Sequence, residues 1–464
     1  MSFFDNILNN LPEVAPPKQK RLSFKEKLKW TGSILLIFFV LGLVPLFGLG
    51  QNQLDQFEIL SIILGASFGS IISLGIGPLV TASIVLQLLN GSGIMKLDLT
   101  SHEGKRRFQG LQKMLAIFFI IFEAFIYVFM GGLAPPPALA GTAAFFHIEL
   151  MLVFQLFVGG VLIMFMDEVV SKWGFGSGIS LFIAAGVSQS IFIRALSPLE
   201  APNLPGSGIP TGAIPALFIY LGEGDPINAG LMFAAVASTI LVFMLSVYSQ
   251  AMKIEIPLSF GRIRGYGMRW PLNFLYTSNI PVILIAALMA NLQLWGRLLQ
   301  NWGLPLLGTY VGNSPDTGLV TFLSPPNLVK SIITSSLTTD VLIRGLGYLV
   351  IMVIGAVVFS WFWMQTAGMD AKSQAKQIMS SGLQIPGFRK DQRVLERLLD
   401  RYIKPLTVLG GIAIGILAAI ADLSGALGNG TGILLTVMIV YKLYEEIARD
   451  HMMDMHPALR KMME

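Results

Sequence analysis

The sequence lacks cysteine and contains little charge. Among its 464 residues there is no cysteine, and only 13% are charged. The absence of cysteine excludes disulfides, cysteine-ligated zinc, iron–sulfur clusters and cysteine nucleophiles. There are only four histidines, and they form no zinc-binding HExxH pattern. The Walker A pattern of P-loop ATPases is also absent. We therefore predict no metal site, no cofactor and no enzymatic activity.

Hydrophobic residues are abundant instead. They make up 54% of the chain, and the mean hydropathy is +0.69. Soluble domains carry about 25% charged residues, so the composition predicts an all-α polytopic membrane protein. Ten stretches approach the ~20 apolar residues that a membrane-spanning helix needs. They lie at about 30–49, 77–90, 111–133, 149–166, 179–196, 228–251, 272–296, 341–366, 404–422 and 431–448.

The segment before the second span is unusual. From Ile59 to Met95 there is no charged residue, which is too long for one span and too short for two. Glycine and proline at 75–78 interrupt it, and both residues break helices. We predict a half-helix at about 59–70, followed by a break and then a full span.

The distribution of charge predicts an orientation. If the ten spans alternate, 28 of the 32 lysines and arginines fall on the side of the N-terminus. Cytoplasmic loops carry such an excess, so residues 1–29 and 449–464 are predicted to be cytoplasmic. Residues 24–29 form either an amphipathic helix on the membrane surface or a plain charged flank.

Two long loops lie on this predicted cytoplasmic side. In the loop at about 252–271, apolar residues alternate between Ile254 and Phe260, which predicts a strand or hairpin. The loop at about 367–404 carries eight lysines and arginines. This charge reflects either ordinary membrane topology or docking of an anionic partner such as ribosomal RNA.

The predicted spans contain few ionisable groups. Glu123 is the clear mid-span carboxylate, whereas Asp167 and Asp422 lie near span ends. Glu123 is either a proton site or a carboxylate paired with a polar neighbour. The otherwise neutral interior suits a conduit that does not bind its cargo tightly.

Five segments together resemble the SecY family. They are GIGPLVTASIVLQLL (75–89), VSKWGFGSGISLFIAAGVSQ (170–189), IEIPLSFGRIRG (254–265), SNIPVIL (278–284) and GNGTGILLTV (428–437). Their sequences are similar to those of archaeal SecY and of the α subunit of the translocon in the endoplasmic reticulum. The family is the pore subunit of the protein-conducting channel. The resemblance therefore implies a clamshell of two inverted, pseudo-symmetric halves around an hourglass pore, at 30–225 and 226–448.

The resemblance also implies roles for particular residues. A hydrophobic pore ring would be formed by Ile76, Val80, Ile179, Ile183, Ile283 and Leu435, with Leu434 as the alternative to the last. The half-helix would be the plug, with Ile62, Ile63, Leu64, Gly65 and Ser67. Polar residues of the lateral gate would be Thr81, Gln87 and Asn279. Docking of a ribosome or motor would use Arg262, Arg264, Arg389 and Lys390.

Partners and location follow from the same resemblance. The family works with the small subunits SecE and Secβ, and it receives signal peptides and nascent chains from the ribosome or, in bacteria, from a motor ATPase. The chain is expected in the plasma membrane and is not expected to bind DNA. The apolar ring agrees with this function, because branched apolar side chains exclude water and ions by dewetting.

Two other functions are compatible with some of these features. A secondary transporter can also have inverted repeats and a broken helix, but it needs an ion ligand in the membrane. An intramembrane protease needs paired aspartates, a serine–histidine pair or a zinc site within its spans, and none is visible in the sequence.

Overall fold

Ten long helices in the described part of the chain coincide with the ten predicted spans. The computed structural model describes residues 11–18, 22–52, 54, 65–91, 94–95, 102–200, 208–260, 267–277, 280–311, 314–380, 383–384, 391–428 and 430–455. The helices of the first half are α1 (Phe24–Gly42), α2 (Gly77–Gly91), α3 (His102–Phe129), α4 (Ala143–Trp173) and α5 (Gly178–Leu196). Those of the second half are α6 (Pro226–Ala251), α7 (Ile280–Asn301), α8 (Thr339–Thr366), α9 (Gln392–Leu423) and α10 (Gly430–Met455).

Seven of these helices, α3 to α9, are long and apolar enough to cross a membrane by themselves. The helix α2 is shorter at 15 residues, and α1 and α10 carry charges in their terminal turns. Shorter α-helices lie outside the ten, at Ala213–Glu223, Leu319–Leu323, Leu328–Ile333 and Ala371–Ser380.

The two halves repeat the same helix contacts. In the first half α2 packs on α3, α3 on α4, α4 on α5, and α1 on both α4 and α5. In the second half α7 packs on α8, α8 on α9, α9 on α10, and α6 on both α9 and α10. Adding five to each helix number converts one set into the other, as expected of two inverted repeats.

The halves meet at two places. On one side α5 packs against α10, and on the other α2 packs against α7 and α8. Most of the buried hydrophobic residues along these contacts belong to one continuous cluster. The space between the two contacts is therefore the place where a pore can form.

Successive connections lie on opposite faces of the bundle. The basic face carries the connections α2–α3, α4–α5, α6–α7 and α8–α9. On it, β3 (Lys253–Phe260) pairs with β4 (Gly267–Asn273) and with β7 (Leu383–Gln384), which confirms the predicted strand or hairpin. The other face carries the antiparallel pair β5 (Gly308–Val311) and β6 (Ser314–Gly318), and we call it the hairpin face. A further pair, β1 (Gln51–Asn52) and β2 (Leu133–Ala134), joins the α1–α2 and α3–α4 connections.

Several predicted boundaries are wrong. The seventh helix begins at Ile280 rather than about 272, because residues 267–273 continue the sheet of the loop. The ninth begins at Gln392 rather than about 404, so half of the basic residues assigned to that loop lie on the helix. Its first turns are amphipathic, and Leu395, Leu399 and Ile403 pack on the helix 371–380.

The N-terminal segment lies along the end of α4. Val14 donates its backbone N–H to Glu168 Oε2 at 3.0 Å, and Trp173 donates its indole N–H to the Ala15 carbonyl at 2.9 Å. A hydrogen bond from the Lys172 ammonium lowers the pKa of Glu13. Residues 24–29 are the first turns of α1 itself, and Ser23 and Glu26 form a capping box at its start.

Close packing of α8 and α9 depends on two glycines. A Cβ at Gly411 would lie 3.0 Å from Val357 Cα, and one at Gly415 would lie 2.8 Å from Val353 Cα. Small residues at this spacing let two membrane helices approach closely. The GxxxG pattern of α9 therefore faces α8 rather than lipid.

Candidate functional site

The six residues of the predicted ring come from four helices and meet in one cluster. Ile76, Val80, Ile183, Ile283 and Leu435 are buried members of the central hydrophobic cluster, and Ile179 is half-buried against it. Ile76 immediately precedes α2, and its carbonyl accepts the Val80 N–H at 3.0 Å, so both side chains face the same way. Leu434 belongs to the same cluster and is as buried as Leu435.

A cavity of about 290 Å³ ends at this cluster. Val80, Ile179 and Ile283 close it at one end. Toward the basic face its wall is mixed, with Gln87, Gln112, Asp167, Ser177 and Thr366 beside apolar residues such as Phe108 and Trp363. The arrangement is a vestibule, lined by polar and apolar residues, that narrows onto branched apolar side chains, which is the geometry of a hydrophobic constriction.

The chain before α2 packs against the ring. A Cβ at Gly65 would lie 3.8 Å from Ile76 Cγ2, and the glycine has a φ of +52°. The Ser67 hydroxyl donates to the Gly42 carbonyl at 3.1 Å, and the Ser67 carbonyl accepts from the Ser70 hydroxyl at 2.7 Å. Residues 65–70 form turns, so this part of the predicted half-helix is not helical. Ile62, Ile63 and Leu64 lie outside the described residues.

Three polar side chains meet where α2, α3 and α7 converge. The Thr81 hydroxyl lies 3.3 Å from Glu123 Oε1 and 2.8 Å from the carbonyl oxygen of Gly77. It also accepts a hydrogen bond from Asn291 Nδ2 at 2.9 Å. Glu123 is therefore paired with a polar neighbour, which is one of the two alternatives that the sequence left open. We call Thr81, Glu123 and Asn291 the gate cluster.

The gate cluster is incompletely satisfied. Glu123 Oε2 and Asn291 Oδ1 are buried and have no hydrogen-bond partner within the described part of the chain. Buried polar atoms without partners cost free energy. This cost falls on the packed arrangement of α2, α3 and α7, and separation of the helices would relieve it by hydrating the two oxygens.

The structure places Gln87, another predicted gate residue, outside this cluster. Gln87 lies on α2, where its amide donates to Ser83 Oγ at 2.9 Å on the same helix, and it lines the vestibule. Asn279 lies outside the described residues. Sequence reasoning missed Asn291, although an amide in the middle of an apolar span was a usable signal.

The docking residues predicted in the two loops, Arg262, Arg264, Arg389 and Lys390, lie outside the described residues. Their neighbours are described, and they place both loops on one sheet. Ser259 and Phe260 of β3 pair with Gln384 and Leu383 of β7, so the two loops meet on the basic face.

Comparison with known proteins identifies the family. Residues 70–444 match the SecY family. A protein translocase subunit SecY from Methanothermobacter thermautotrophicus is 46% identical, and the match covers 98% of this chain and 97% of the relative.

The chain belongs to the SecY family.

Solved structures agree with this assignment. One is a SecY protein whose plug domain stabilises the closed state of the translocation channel and maintains a membrane seal. It is 41% identical, with a TM-score of 0.83 and 99% of each chain covered. Another is Sec61 in a canine ribosome–channel complex from the endoplasmic reticulum, which is 40% identical, with a TM-score of 0.80 and 99% of each chain covered.

The function follows from the family. The chain is the channel subunit of a protein translocase and a multi-pass membrane protein, so its function is transport of polypeptides rather than catalysis. The two alternatives, a secondary transporter and an intramembrane protease, are not supported by these relatives. The predicted fold class, with ten spans in two inverted halves, is confirmed.

The gate cluster gives a prediction. Replacing Asn291 by leucine removes a buried unpaired oxygen and the hydrogen bond to Thr81, and it adds apolar contact. The unpaired oxygen costs about 1–3 kcal/mol, more than the ~0.6 kcal/mol that such a hydrogen bond contributes in a membrane protein, so we expect the packed arrangement of the proposed gate to be stabilised. The expected effect is about 1 kcal/mol, or roughly fivefold fewer open channels. Translocation of a substrate with a weakly hydrophobic signal should slow by that factor, while one with a strongly hydrophobic signal is little affected.

The matched control is Gln293→Leu. Gln293 is also an amide of α7, but it donates to the Leu323 carbonyl at 2.5 Å, away from α2. Equal slowing by both variants, or faster translocation by Asn291→Leu, contradicts the role of the gate cluster.

Proposed function

We propose that Ile76, Val80, Ile179, Ile183, Ile283 and Leu435 form the constriction through which the polypeptide passes. One observation carries the proposal: side chains from both halves meet in a single buried apolar cluster at the end of a vestibule that also has polar residues in its wall. Such a ring seals against ions without binding the cargo specifically. It widens when the two halves move apart.

The segment around Gly65 and Ser67 is the part of the plug that supports the seal from the hairpin face. Near Ile76 it has a glycine, which contributes no side chain to the packing, and Ser67 holds it to the Gly42 carbonyl by a short side chain. Small residues of this kind suit an element that leaves when a chain enters. Thr81, Gln87 and Asn279, together with Glu123 and Asn291, line the lateral gate between α2–α3 and α7–α8.

Orientation follows from charge. The basic face is the cytoplasmic face, the chain lies in the plasma membrane, and both termini are cytoplasmic. The vestibule then receives unfolded chains and signal peptides from the cytoplasm. Apolar segments leave through the gate into the lipid.

Site-specific crosslinking tests the polypeptide path. A photoreactive residue is placed at Ile183 or Ile283, and ribosomes stalled within a secretory protein are added to membranes containing the complex. We expect adducts with the nascent chain at both positions, because both are buried in the ring. The control position is Phe118 of α3, whose side chain is 57% exposed on the outside of the bundle.

The crosslinking result either supports or contradicts the proposed polypeptide path. Adducts at the two ring positions and not at Phe118 support the proposed path. An assembled ribosome complex that gives no adduct at either ring position contradicts it.

The basic face is also the proposed docking surface for the ribosome, including its RNA. The sequence places Arg262 and Arg264 in one loop and Arg389 and Lys390 in the other, and the described strands β3 and β7 join the two loops on this face. A motor ATPase would use the same surface. The solved Sec61 relative is seen in a ribosome–channel complex, and phosphate-rich RNA attracts clustered arginine and lysine.

Charge reversal tests docking. Arg389→Glu with Lys390→Glu should weaken ribosome binding and lower the slope of log affinity against log salt by about 0.7 for each phosphate that is no longer neutralised. Lys330→Glu on the hairpin face is the control, since this exposed lysine lies on the opposite side. Unchanged binding and slope in the double variant would exclude these residues from the ribosome-binding surface.

SecE is the proposed occupant of an apolar groove on the outside of the bundle. The groove has a volume of about 730 Å³ and is formed by α5, α6 and α10, with Phe192, Phe243, Val437 and Tyr444 in its wall. It bridges the two halves beside their α5–α10 contact. A helical subunit seated there holds the halves together while the opposite side opens. Secβ is proposed as the second small subunit on the family relationship alone.

Crosslinking also tests the SecE position. A photoreactive residue at Phe192 should give adducts with co-expressed SecE, whereas one at Ile354 of α8, which is 59% exposed away from the groove, should not. Comparable SecE adducts at both positions, or none at Phe192, contradict this assignment.

A further inference from the structure

The N-terminus of α5 is bound by a carboxylate from α4. Asp167 Oδ1 accepts the backbone N–H of Ile179 at 2.9 Å, and the carboxylate also accepts from the backbone of Gly178 and the hydroxyl of Ser177. Gly178 and Ile179 are the first two residues of α5. Asp167 is half-buried and lies on the wall of the vestibule.

The N-terminus of α10 is bound in the same way from α9. Asp422 Oδ1 accepts the backbone N–H of Thr431 at 2.6 Å, and the carboxylate also accepts from the backbone of Gly430. Gly430 and Thr431 are the first two residues of α10. The hydroxyl groups of Thr431 and Tyr348 also donate to Asp422.

Glycines make both contacts possible. A Cβ at Gly178 would lie 2.5 Å from Asp167 Cα, and one at Gly430 would lie 2.5 Å from Asp422 N, so neither helix could begin this close with a larger residue. Two residues earlier, Gly176 and Gly428 have φ values of +68° and +90°. The same glycine–any residue–glycine sequence, with a left-handed first glycine, therefore precedes both helices.

The two arrangements are equivalent in the repeat. The pair α4 and α5 corresponds to the pair α9 and α10, so Asp167 and Asp422 occupy matching places on opposite faces of the membrane. Asp167 is on the side of the basic face, and Asp422 is on the side of the hairpin face. A feature that occurs in both repeats is not an accident of one loop.

Both arrangements lie directly before ring residues. Ile179 is the second residue of α5, and Ile183 follows one turn later. Thr431 is the second residue of α10, and Leu435 follows one turn later. The equivalence therefore selects Leu435, rather than Leu434, as the counterpart of Ile183.

We propose that Asp167 and Asp422 are positioning residues that hold the ring closed by fixing where α5 and α10 begin. The proposal rests on the proposed ring. A slip of one residue rotates a helix by about 100° and shifts it by about 1.5 Å, which would turn Ile183 or Leu435 out of the constriction.

A carboxylate is suited to this task. The first N–H groups of a helix have no partner within the helix, and they carry partial positive charge. Inside a membrane protein there is little water to satisfy them. Each aspartate holds two such groups from a neighbouring helix, so displacement of α5 or α10 breaks charge-assisted hydrogen bonds rather than apolar contacts alone.

The test measures ion leak through the resting channel. Asp167→Asn and Asp422→Asn keep an oxygen acceptor but lose the charge, and the alanine variants lose both. The full complex is reconstituted in planar bilayers, and conductance is recorded without substrate. We expect about a tenfold rise for each asparagine variant, the factor for one weakened charge-assisted hydrogen bond in a two-state equilibrium, and a larger rise for each alanine variant.

Asp225→Ala is the matched control. Asp225 also binds the first N–H groups of a helix, at 3.1 Å to Ile227 and 3.2 Å to Asn228 of α6, but no ring residue follows it. The Asp225→Ala variant removes a carboxylate cap from the start of α6. If a general loss of stability caused the ion leak, this variant would leak too. We expect its conductance to equal that of the unmodified complex.

A milder variant covers the case in which an aspartate variant does not assemble. Thr431→Val keeps Asp422 and both backbone hydrogen bonds and removes only the hydroxyl donor. It should raise the resting conductance less than Asp422→Asn, but measurably above the control.

Ring variants separate the two proposals. Ile183→Ser, which opens the constriction directly, should leak. If it leaks and none of the Asp167, Asp422 and Thr431 variants leaks more than Asp225→Ala, the positioning role is wrong and the ring stands. If Ile183→Ser does not leak either, the ring itself is wrong, and the positioning role is overturned with it.

Discussion

The contact between two separable halves is the constraint on which the rest of this structure depends. The halves must pack tightly enough to exclude ions and must also part for a polypeptide. Apolar contact meets both needs, because it is non-directional and closes around whatever surface is presented to it. The six residues of the proposed ring have this character, since they come from both halves and all have branched aliphatic side chains. A ring of polar groups would bind passing chains and conduct water.

Polar groups set the equilibrium around this contact rather than forming it. In the gate cluster, Thr81 joins α2 to α3 and α7, yet one oxygen of Glu123 and one of Asn291 remain unpaired within the described residues. In the proposed gate, the hydrogen bonds favour the packed arrangement of the three helices and the unpaired oxygens oppose it. At the N-termini of α5 and α10 the polar groups are better paired, because Asp167 and Asp422 each have several hydrogen-bond partners. The structure thus combines two helix starts held by several hydrogen bonds with a proposed gate in which some buried oxygens lack hydrogen-bond partners.

Sequence reasoning located these features unevenly. Spans were found because about 20 apolar residues are required to cross a bilayer, and their order was supported by the distribution of lysine and arginine. Helix ends were found poorly. The first turns of α9 are amphipathic, so hydropathy assigned them to a loop, although Leu395 and Leu399 are buried on a neighbouring helix. Residues 272 and 273 were assigned to the seventh span because they are apolar or neutral, but they belong to β4.

The sequence by itself determined that this is a ten-span membrane protein, and its motifs placed it in the SecY family, because hydropathy and charge are local properties and the motifs are contiguous. Only the tertiary structure decided which polar residues act together. Thr81, Glu123 and Asn291 are far apart in the chain, and nothing local in their segments pairs them. Asp167 and Asp422 were visible only as carboxylates near span ends. Their equivalence appears once α4–α5 and α9–α10 are seen to repeat one arrangement, because the partner of a helix end is chosen by packing and not by sequence distance.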